Sequence, residues 1–239
     1  MPRAPDADRE CSPGAAATRR LPAARNPTVR DPLRRIARIP TAVLSDALGR
    51  LGTMASAIKP VTSYARLIGV ARTVRCFPGD CLTLLRALAE AREGEVLVVD
   101  GGGMVEAAVM GRLMALEARR KGLCGFIVDG AVRDLRGLEA AGVPVFARGA
   151  TPRMGTAEHL EQTQVPIICG GAPVRPGDIV HGDEDGVVVF GSKRLREVVA
   201  RALEVERHET DVVRRLKRGQ PLAELTQLFD RLVELRKRG

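Results

Sequence analysis

Apolar residues recur at helical spacing in the segment TAVLSDALGRLG, residues 41–52, and the segment ends in glycine. Positions three and four residues apart share one face of a helix, so the pattern predicts a helix of about three turns. Its inward side should carry Val43, Leu44, Ala47 and Leu48.

Strand-like and helix-like patterns then alternate. Strands are predicted at residues 66–76, 95–100, 125–130 and 143–149, and helices at residues 82–92, 111–121 and 132–140. Alternating strands and helices produce parallel strand pairs joined by crossover helices. We therefore predict an α/β fold with a mixed sheet.

Turn residues punctuate the segment 165–190 every few positions, without helical periodicity, which predicts a β-rich layer. From Ser192 onward apolar residues again recur at helical spacing among charges, and the final helix should be long enough to pack on another subunit. Residues 1–32 mix Pro, Ala, Arg and Gly as disordered segments do. We predict a disordered basic extension (1–32), a catalytic domain (33–191) and a helical extension (192–239) that packs on the core or on a neighbouring subunit.

The formal net charge of +9 is unevenly distributed. Residues 1–38 carry nine basic and four acidic residues and residues 192–239 carry thirteen and eight, which leaves sixteen and seventeen for the middle of the chain. Aromatic residues make up 3% of the chain, too few for a stacking platform. We therefore do not expect nucleic acid to be the partner.

The chain has no apolar run of eighteen residues, so we expect no membrane contact and a cytoplasmic location. Its five cysteines lack the paired spacing of zinc sites or disulfide frameworks, and it has only three histidines. Any metal should therefore sit on oxygen ligands.

The sequence DGAVRD, residues 129–134, follows a buried strand and opens a predicted helix. Arg133 offers a planar charged fork for a carboxylate, and Asp134 could hold a hydrated Mg²⁺ or Mn²⁺. An exposed ion pair that also caps the helix is the alternative. Upstream, a helix predicted to start near Gly111 would offer free N–H groups to an anion. The glycines at 101–103 lack the spacing of a nucleotide loop and are interpreted as tight turns.

These segments resemble the RraA-like family, which includes 4-hydroxy-4-methyl-2-oxoglutarate aldolases and relatives that decarboxylate oxaloacetate. The resemblance lies in LSDALGRLG, GVARTV, VVDGGG, GRLMALEARRKGLCGFIVDGAVRD, FARGATPR and VRPGDIVHGDEDGVVVF, in that order between residues 40 and 190. It implies a swivelling β/β/α-type domain assembled as a homotrimer or a dimer of trimers, with sites near subunit boundaries.

The resemblance also implies residue roles. Gly111, Arg112, Leu113 and Met114 would cradle the carboxylate of a small 2-keto acid through their backbone. Arg133 would contact the same substrate, and Asp134 would bind the metal. Arg133 and Asp134 are thus the predicted catalytic residues.

Two positions depart from that pattern. Characterised aldolases have an acid where this chain has Arg112. The replacement removes a hydrogen-bond acceptor for metal-bound water. The additional positive charge could favour a more acidic substrate. Some active relatives carry acids where this chain has Gly137 and Leu138. A metal-bound water, or an acid of the cluster Asp183, Glu184 and Asp185, could then carry the proton, and the alternative for that cluster is a solvated turn.

Three functions remain open on the sequence. The first is a metal-dependent lyase that cleaves a carbon–carbon bond beside a pyruvoyl group, by retro-aldol cleavage or oxaloacetate decarboxylation. The second is a non-catalytic regulator that binds a ribonuclease. The third, a methyltransferase label that the family has carried, is poorly supported, because the glycines at 101–103 are a poor match to a cofactor loop.

Overall fold

The computed structural model of the protein describes residues 33–228, 231, 234 and 235, so the predicted extension at residues 1–32 lies outside the described residues. The strands are β1 (Lys59–Pro60), β2 (Leu67–Arg75), β3 (Glu95–Asp100), β4 (Ala108–Met110), β5 (Gly125–Val132), β6 (Val145–Ala150), β7 (Ile167–Cys169), β8 (Ala172–Val174), β9 (Ile179–Asp183) and β10 (Gly186–Phe190). The helices are α1 (Thr41–Ala47), α2 (Leu82–Glu90), α3 (Arg112–Lys121), α4 (Leu135–Ala141), α5 (Leu195–Lys217) and α6 (Leu222–Leu225).

The large sheet has the strand order β1-β6-β5-β3-β2-β9-β10, with β4 paired to β5. Strands β2, β3, β5 and β6 run parallel, whereas β1, β9 and β10 pair antiparallel with their neighbours. The two ends of this order meet where the Lys59 ammonium donates to the Asp185 carbonyl at 2.6 Å. The sheet is therefore mixed and nearly closed, and with the helices it confirms the predicted fold class.

Both faces of the sheet are covered, as the uninterrupted apolar run of β3 requires. Val96 and Val98 face an interior filled by Phe146 and the hairpin of β7 and β8. Leu97 and Val99 face α2, α3 and α4 on the other side. The parallel strands therefore all point their carboxyl ends at one edge, where loops can assemble a site.

A third layer is formed by α1 and the first half of α5 over β9 and β10. Leu44 and Val198 are fully buried there against Ile179 and Val188. The four inward residues predicted for α1 are all buried, at 0–6% exposure. That helix nevertheless has two turns rather than three, because Gly49 and Arg50 adopt left-handed backbone conformations.

Other element boundaries differ from the sequence predictions in two places. The helix predicted at residues 132–140 begins only at Leu135, because β5 continues through Val132. Beyond α5, which is continuous for 23 residues, the chain makes the four-residue helix α6 and then a turn at residues 226–227. The prediction of one long final helix is therefore wrong at that turn. None of the described helices combines the length and apolar character needed to cross a membrane.

Candidate functional site

The predicted site residues lie together at the carboxyl edge of the parallel strands. Strand β5 ends at Val132, whose carbonyl accepts from Thr151 N at 3.0 Å, and Arg133 N donates to the Met110 carbonyl at 3.0 Å. The segment after β5 is thus held between the ends of β6 and β4. The connection fixes Arg133 directly beside Gly111.

Close packing between Arg133 and Gly111 explains the glycine at that position. A Cβ placed on Gly111 would lie 3.1 Å from Arg133 Cγ and 3.6 Å from Arg133 Nε. The backbone of Gly111 is extended, with φ −158°, so the constraint is space rather than conformation. The guanidinium stem therefore lies across the residue that precedes α3.

The start of α3 presents its first-turn N–H groups to the same place, because these groups have no acceptor within the helix. Arg112 and Leu113 are exposed there, whereas Met114 is buried in the core. The first turn of α3 has no acidic side chain. An anion beside Arg133 would thus meet two sources of positive charge, the helix end and the guanidinium.

Asp134 lies at the start of α4 and caps it. Its backbone is left-handed (φ 59°, ψ 56°), and its Oδ1 accepts from Gly137 N at 3.1 Å. A Cβ on Gly137 would lie 2.5 Å from Asp134 Oδ2 and 2.7 Å from Arg112 Cβ. Gly137 therefore lets the carboxylate and the stem of Arg112 approach each other, which no side chain at 137 would allow.

The alternative of an exposed ion pair that also caps the helix is confirmed for the cap and wrong for the ion pair. The cap is present, but no ion pair joins Asp134 to Arg133 or Arg112 among the described residues. Arg133 and Asp134 also line an open depression of about 210 Å³ together with Leu135, Ala150, Thr151 and Pro152. One cationic side chain and one carboxylate thus flank a space that could hold a small acid.

Asp134 offers limited but usable metal ligation. Its Oδ1 is engaged by the helix, which leaves Oδ2 as the free donor atom. Within the described part of the chain no group of three or more His, Cys, Asp or Glu residues could hold an ion. A single carboxylate oxygen could hold only a divalent cation that keeps most of its water.

Cys81 lies beneath the site and is fully buried. Burial raises the pKa of its thiol and Asp80 raises it further, although the positive charge of Arg133 works in the other direction. A thiol of raised pKa without solvent access is a poor nucleophile. Among the described cysteines Cys76 and Cys169 are buried too, as expected for structural thiols.

A second polar cluster, not anticipated from the sequence, occupies the interior face of the same strands. Asp129 pairs with Arg148 through Nε, and its Oδ2 accepts from Gly170 N at 2.6 Å. Gly103 packs against this pair, 3.4 Å from its ideal Cβ to Arg148 Nε. The glycines at 101–103 thus form a tight turn, as predicted, with Gly102 and Gly103 at positive φ.

The acidic cluster at residues 183–185 is remote from Arg133. Strand β9 runs antiparallel to β2, so its end at Asp183 lies beside Leu67, at the amino edge of the parallel strands. Asp183 is buried and accepts from Thr41 N at 2.7 Å and from Thr41 Oγ1 at 2.5 Å. Asp183 therefore binds the start of α1, whereas Glu184 and Asp185 are exposed in the turn that follows, as the alternative of a solvated turn predicted.

Gly137 and Leu138 also acquire structural explanations. Leu138 is fully buried between α4 and the sheet, where an acid would be costly. Gly137 is buried between Asp134 and Arg112. This chain therefore has no position for an additional acid on the inner side of α4.

Comparison with known proteins gives a family match and one similar protein sequence. The sequence pattern of the RraA-like family, described as aldolase/RraA, matches residues 41–189. A protein of Halalkalibacterium halodurans, whose name proposes it as a 4-hydroxy-4-methyl-2-oxoglutarate aldolase, is 41% identical over 164 residues, which is 69% of this chain and 78% of that protein.

Solved structures show the same similarity. An uncharacterised protein from Pseudomonas syringae superposes with a TM-score of 0.72 at 28% identity, covering 82% of this chain and 97% of its own. The RNA-processing inhibitor RraA from Thermus thermophilis superposes with a TM-score of 0.59 at 34% identity, covering 64% of this chain and 92% of its own. This chain therefore carries residues that have no counterpart in the Thermus protein.

Proposed function

The chain belongs to the RraA-like family, and we propose that it is a divalent-metal-dependent carbon–carbon lyase acting on a small 2-keto acid. The observation that carries this proposal is the convergence of Arg133, Asp134 and the start of α3 around Gly111. A guanidinium, a carboxylate with one free oxygen and a helix amino end are the groups that binding and cleavage of a pyruvoyl compound require.

In the proposed reaction the substrate carboxylate is bound by the first-turn N–H groups of α3 and by Arg133. A divalent cation bound at Asp134 would polarise the 2-keto oxygen. When the bond between C3 and C4 breaks, its electron pair moves to C3 and forms the enolate of pyruvate, whose negative oxygen the nearby Arg133 charge stabilises. In the retro-aldol reaction the C4 hydroxyl loses its proton to solvent as C4 becomes a carbonyl carbon, and in the decarboxylation the C4 carboxylate leaves as carbon dioxide. In both reactions a proton from solvent adds to C3 and yields pyruvate.

The same enolate arises from a retro-aldol cleavage and from a decarboxylation, so one site serves both. We therefore propose 4-hydroxy-4-methyl-2-oxoglutarate and oxaloacetate as the substrates to test, with Mg²⁺ or Mn²⁺ as the metal. The name of the Halalkalibacterium relative supports the first substrate. The depression beyond Arg133, lined by Leu135, Thr151 and Pro152, would accept the fragment that leaves.

The test is pyruvate release from both substrates with Mg²⁺, Mn²⁺ or chelator, in the wild type, Asp134→Asn and Asp134→Ala. Asparagine retains a side-chain oxygen for the α4 cap and tolerates left-handed backbone, whereas alanine also removes the cap. We expect both variants to lose metal-dependent release, and only alanine to lower the free energy of unfolding, by about 1 kcal/mol. Wild-type rates in Asp134→Asn would refute the assignment.

A second proposal is that the chain regulates a ribonuclease by binding it without chemistry. It is supported by the name of the Thermus relative, an RNA-processing inhibitor, and by Leu113, an apolar side chain 80% exposed beside Arg112. The same variants separate the two proposals. If the protein acts by binding, Asp134→Asn should inhibit a ribonuclease as strongly as the wild type does. For either function we propose that the protein assembles as a homotrimer or a dimer of trimers.

A further inference from the structure

The segment 151–164 crosses the carboxyl edge of the sheet without regular secondary structure, yet it is held at many points. We call it the strap. Its first residues, Thr151 and Pro152, line the depression opposite Asp134. Its middle carries Thr156, Glu158 and His159, which all reach one carboxylate. The strap thus connects a wall of the site to an anchor outside it.

That anchor is Asp80, whose side chain is only 1% exposed. Asp80 Oδ2 accepts from Thr156 Oγ1 and from Glu158 N, each at 2.7 Å, and from His159 N at 3.1 Å. The other oxygen accepts from Leu82 N at 2.8 Å at the start of α2. Burial alone would raise the pKa of Asp80, but these hydrogen bonds outweigh it and hold the pKa below its ordinary value. Asp80 is therefore a buried anion that binds the strap to α2.

The strap in turn holds the strand that leads to the site. Ala108 N of β4 donates to the Arg153 carbonyl, and Gly155 N donates back to the Ala108 carbonyl, both at 2.9 Å. Strand β4 ends at Met110, whose carbonyl accepts from Arg133 N, and Gly111 follows it. A continuous backbone path therefore runs from the strap through β4 to the residues that contact Arg133.

The strap also fits tightly against the loop that carries Asp80. Thr156 N donates to the Gly79 carbonyl at 2.9 Å, and Cys81 N donates to the Thr156 carbonyl at 2.8 Å. A Cβ on Gly155 would lie 2.1 Å from the Gly79 carbonyl oxygen. The strap therefore has no room to shift toward this loop at Gly155, and the Asp80 contacts hold the residues that follow.

We propose that Asp80 is a positioning residue of the site: its carboxylate fixes the strap, and the strap fixes both the Thr151–Pro152 wall and the strand that places Gly111 beside Arg133. Asp80 touches neither the depression nor the proposed metal, so it acts only through the residues it holds. Its effect on turnover rests on the proposed function, whereas its effect on the strap does not.

The experiment compares Asp80→Asn and Thr156→Val with the control Thr83→Val. Thr83 holds the strap further along, because its Oγ1 accepts from Glu161 N at 2.9 Å, so it tests a threonine that contacts the strap away from β4. Thr156→Val removes one hydroxyl donor without changing side-chain shape, in case Asp80→Asn fails to fold. Thr156→Ser restores the hydroxyl.

Two readouts are measured. Amide hydrogen exchange followed by mass spectrometry should rise at residues 107–112 and 151–158 in Asp80→Asn and Thr156→Val, whereas Thr83→Val should affect residues 159–163 alone. With the better substrate, kcat should fall about tenfold or more while KM changes less, as expected when reacting groups are displaced by a fraction of an ångström. Thr156→Ser should recover both.

Exchange that rises only at residues 156–161, with kcat unchanged in Asp80→Asn and Thr156→Val, would overturn the proposal. The exchange measurement needs no turnover. If the wild type releases no pyruvate from any substrate, the proposed function fails, and faster exchange at residues 107–112 still supports the link from Asp80 to Gly111.

Discussion

At the scale of the residue, the site depends on two glycines that allow side chains to approach. Gly111 accommodates the stem of Arg133, and Gly137 accommodates both the Asp134 carboxylate and Arg112. The sequence motif identified Gly111, Arg133 and Asp134, because their order and spacing are local properties. The role of Gly137 could not be predicted, since it depends on α3 and α4 packing side by side.

Gly137→Ala tests this packing. The new Cβ would lie 2.5 Å from Asp134 Oδ2, so the carboxylate must move. We expect metal-dependent pyruvate release to fall about tenfold or more, as for other small displacements of a reacting group. Alanine favours a helix over glycine by up to about 1 kcal/mol, which offsets part of the strain, so the fold should persist in circular dichroism. Unchanged turnover would show that the carboxylate position is not critical.

Arg112→Glu tests the residue that departs from the characterised aldolases. An acid at the first position of α3 would stand beside Asp134 in place of a cation and would interact favourably with the helix amino end, by about 0.3–1 kcal/mol. We expect tighter Mn²⁺ binding in calorimetry and faster aldol cleavage. Arg112→Gln separates loss of the cation from gain of the acid. Equal Mn²⁺ affinity in all three proteins would show that Arg112 does not limit metal binding.

At the scale of the element, three of the described carboxylates act at the starts of helices. Asp134 caps α4, Asp183 binds the first residue of α1, and Asp80 binds the first residue of α2. The sequence indicated a cap only for Asp134, which precedes its own helix. Asp183 is 142 residues from Thr41, and no local pattern reveals such a contact.

Asp183→Ala separates this stabilising role from catalysis. The variant leaves Thr41 N and Oγ1 without their acceptor in a buried place, which should lower the free energy of unfolding by about 1–3 kcal/mol. Because Asp183 lies at the opposite edge of the sheet from Arg133, kcat should stay within a factor of about two at a temperature where the variant is folded. Urea titration and pyruvate release measure the two effects, and a large loss of kcat in folded protein would restore Asp183 as a candidate proton carrier.

At the scale of the whole molecule, three buried layers meet at the nearly closed sheet, and the layer of α1 and α5 contains a buried histidine. His181 is 3% exposed, and its Nδ1 lacks a hydrogen-bond partner among the described residues. Burial lowers the pKa of His181 from 6.5 to about 4, with nearby Asp183 opposing and Arg66 reinforcing the shift. Between these two pKa values, His181 is therefore protonated in the unfolded chain and neutral in the folded protein.

This difference predicts acid sensitivity. Above pH 6.5 His181 is neutral in both the folded and the unfolded state and does not affect the free energy of unfolding. Between pH 6.5 and 4 the unfolded state binds a proton that the folded state does not, so the free energy of unfolding falls by about 3 kcal/mol in total. His181→Leu should flatten the pH dependence of the unfolding free energy across that window. The exposed His208, changed to Gln, is the matched control. A wild-type slope in His181→Leu would assign the acid sensitivity to other groups.

The sequence by itself determined the order of the elements, the apolar faces and the local motif. Alternating apolar patterns fix which residues become strands and helices, and the strand before Asp129 places the residues after it at a sheet edge. These are consequences of spacing along the chain. The end of β5 was misplaced, because residues 131–132 pair with β4 and β6, and pairing is not local.

Only the tertiary structure decided how distant segments share one site. The strap, its Asp80 anchor and the Asp129–Arg148 pair each join residues of different strand ends at the carboxyl edge of the sheet. Such contacts follow from the curvature and closure of the sheet, which bring the loops of four strands to one edge. Spacing along a chain does not encode that geometry directly. The local motif could therefore indicate the candidate residues, whereas the contacts that position them could not be predicted.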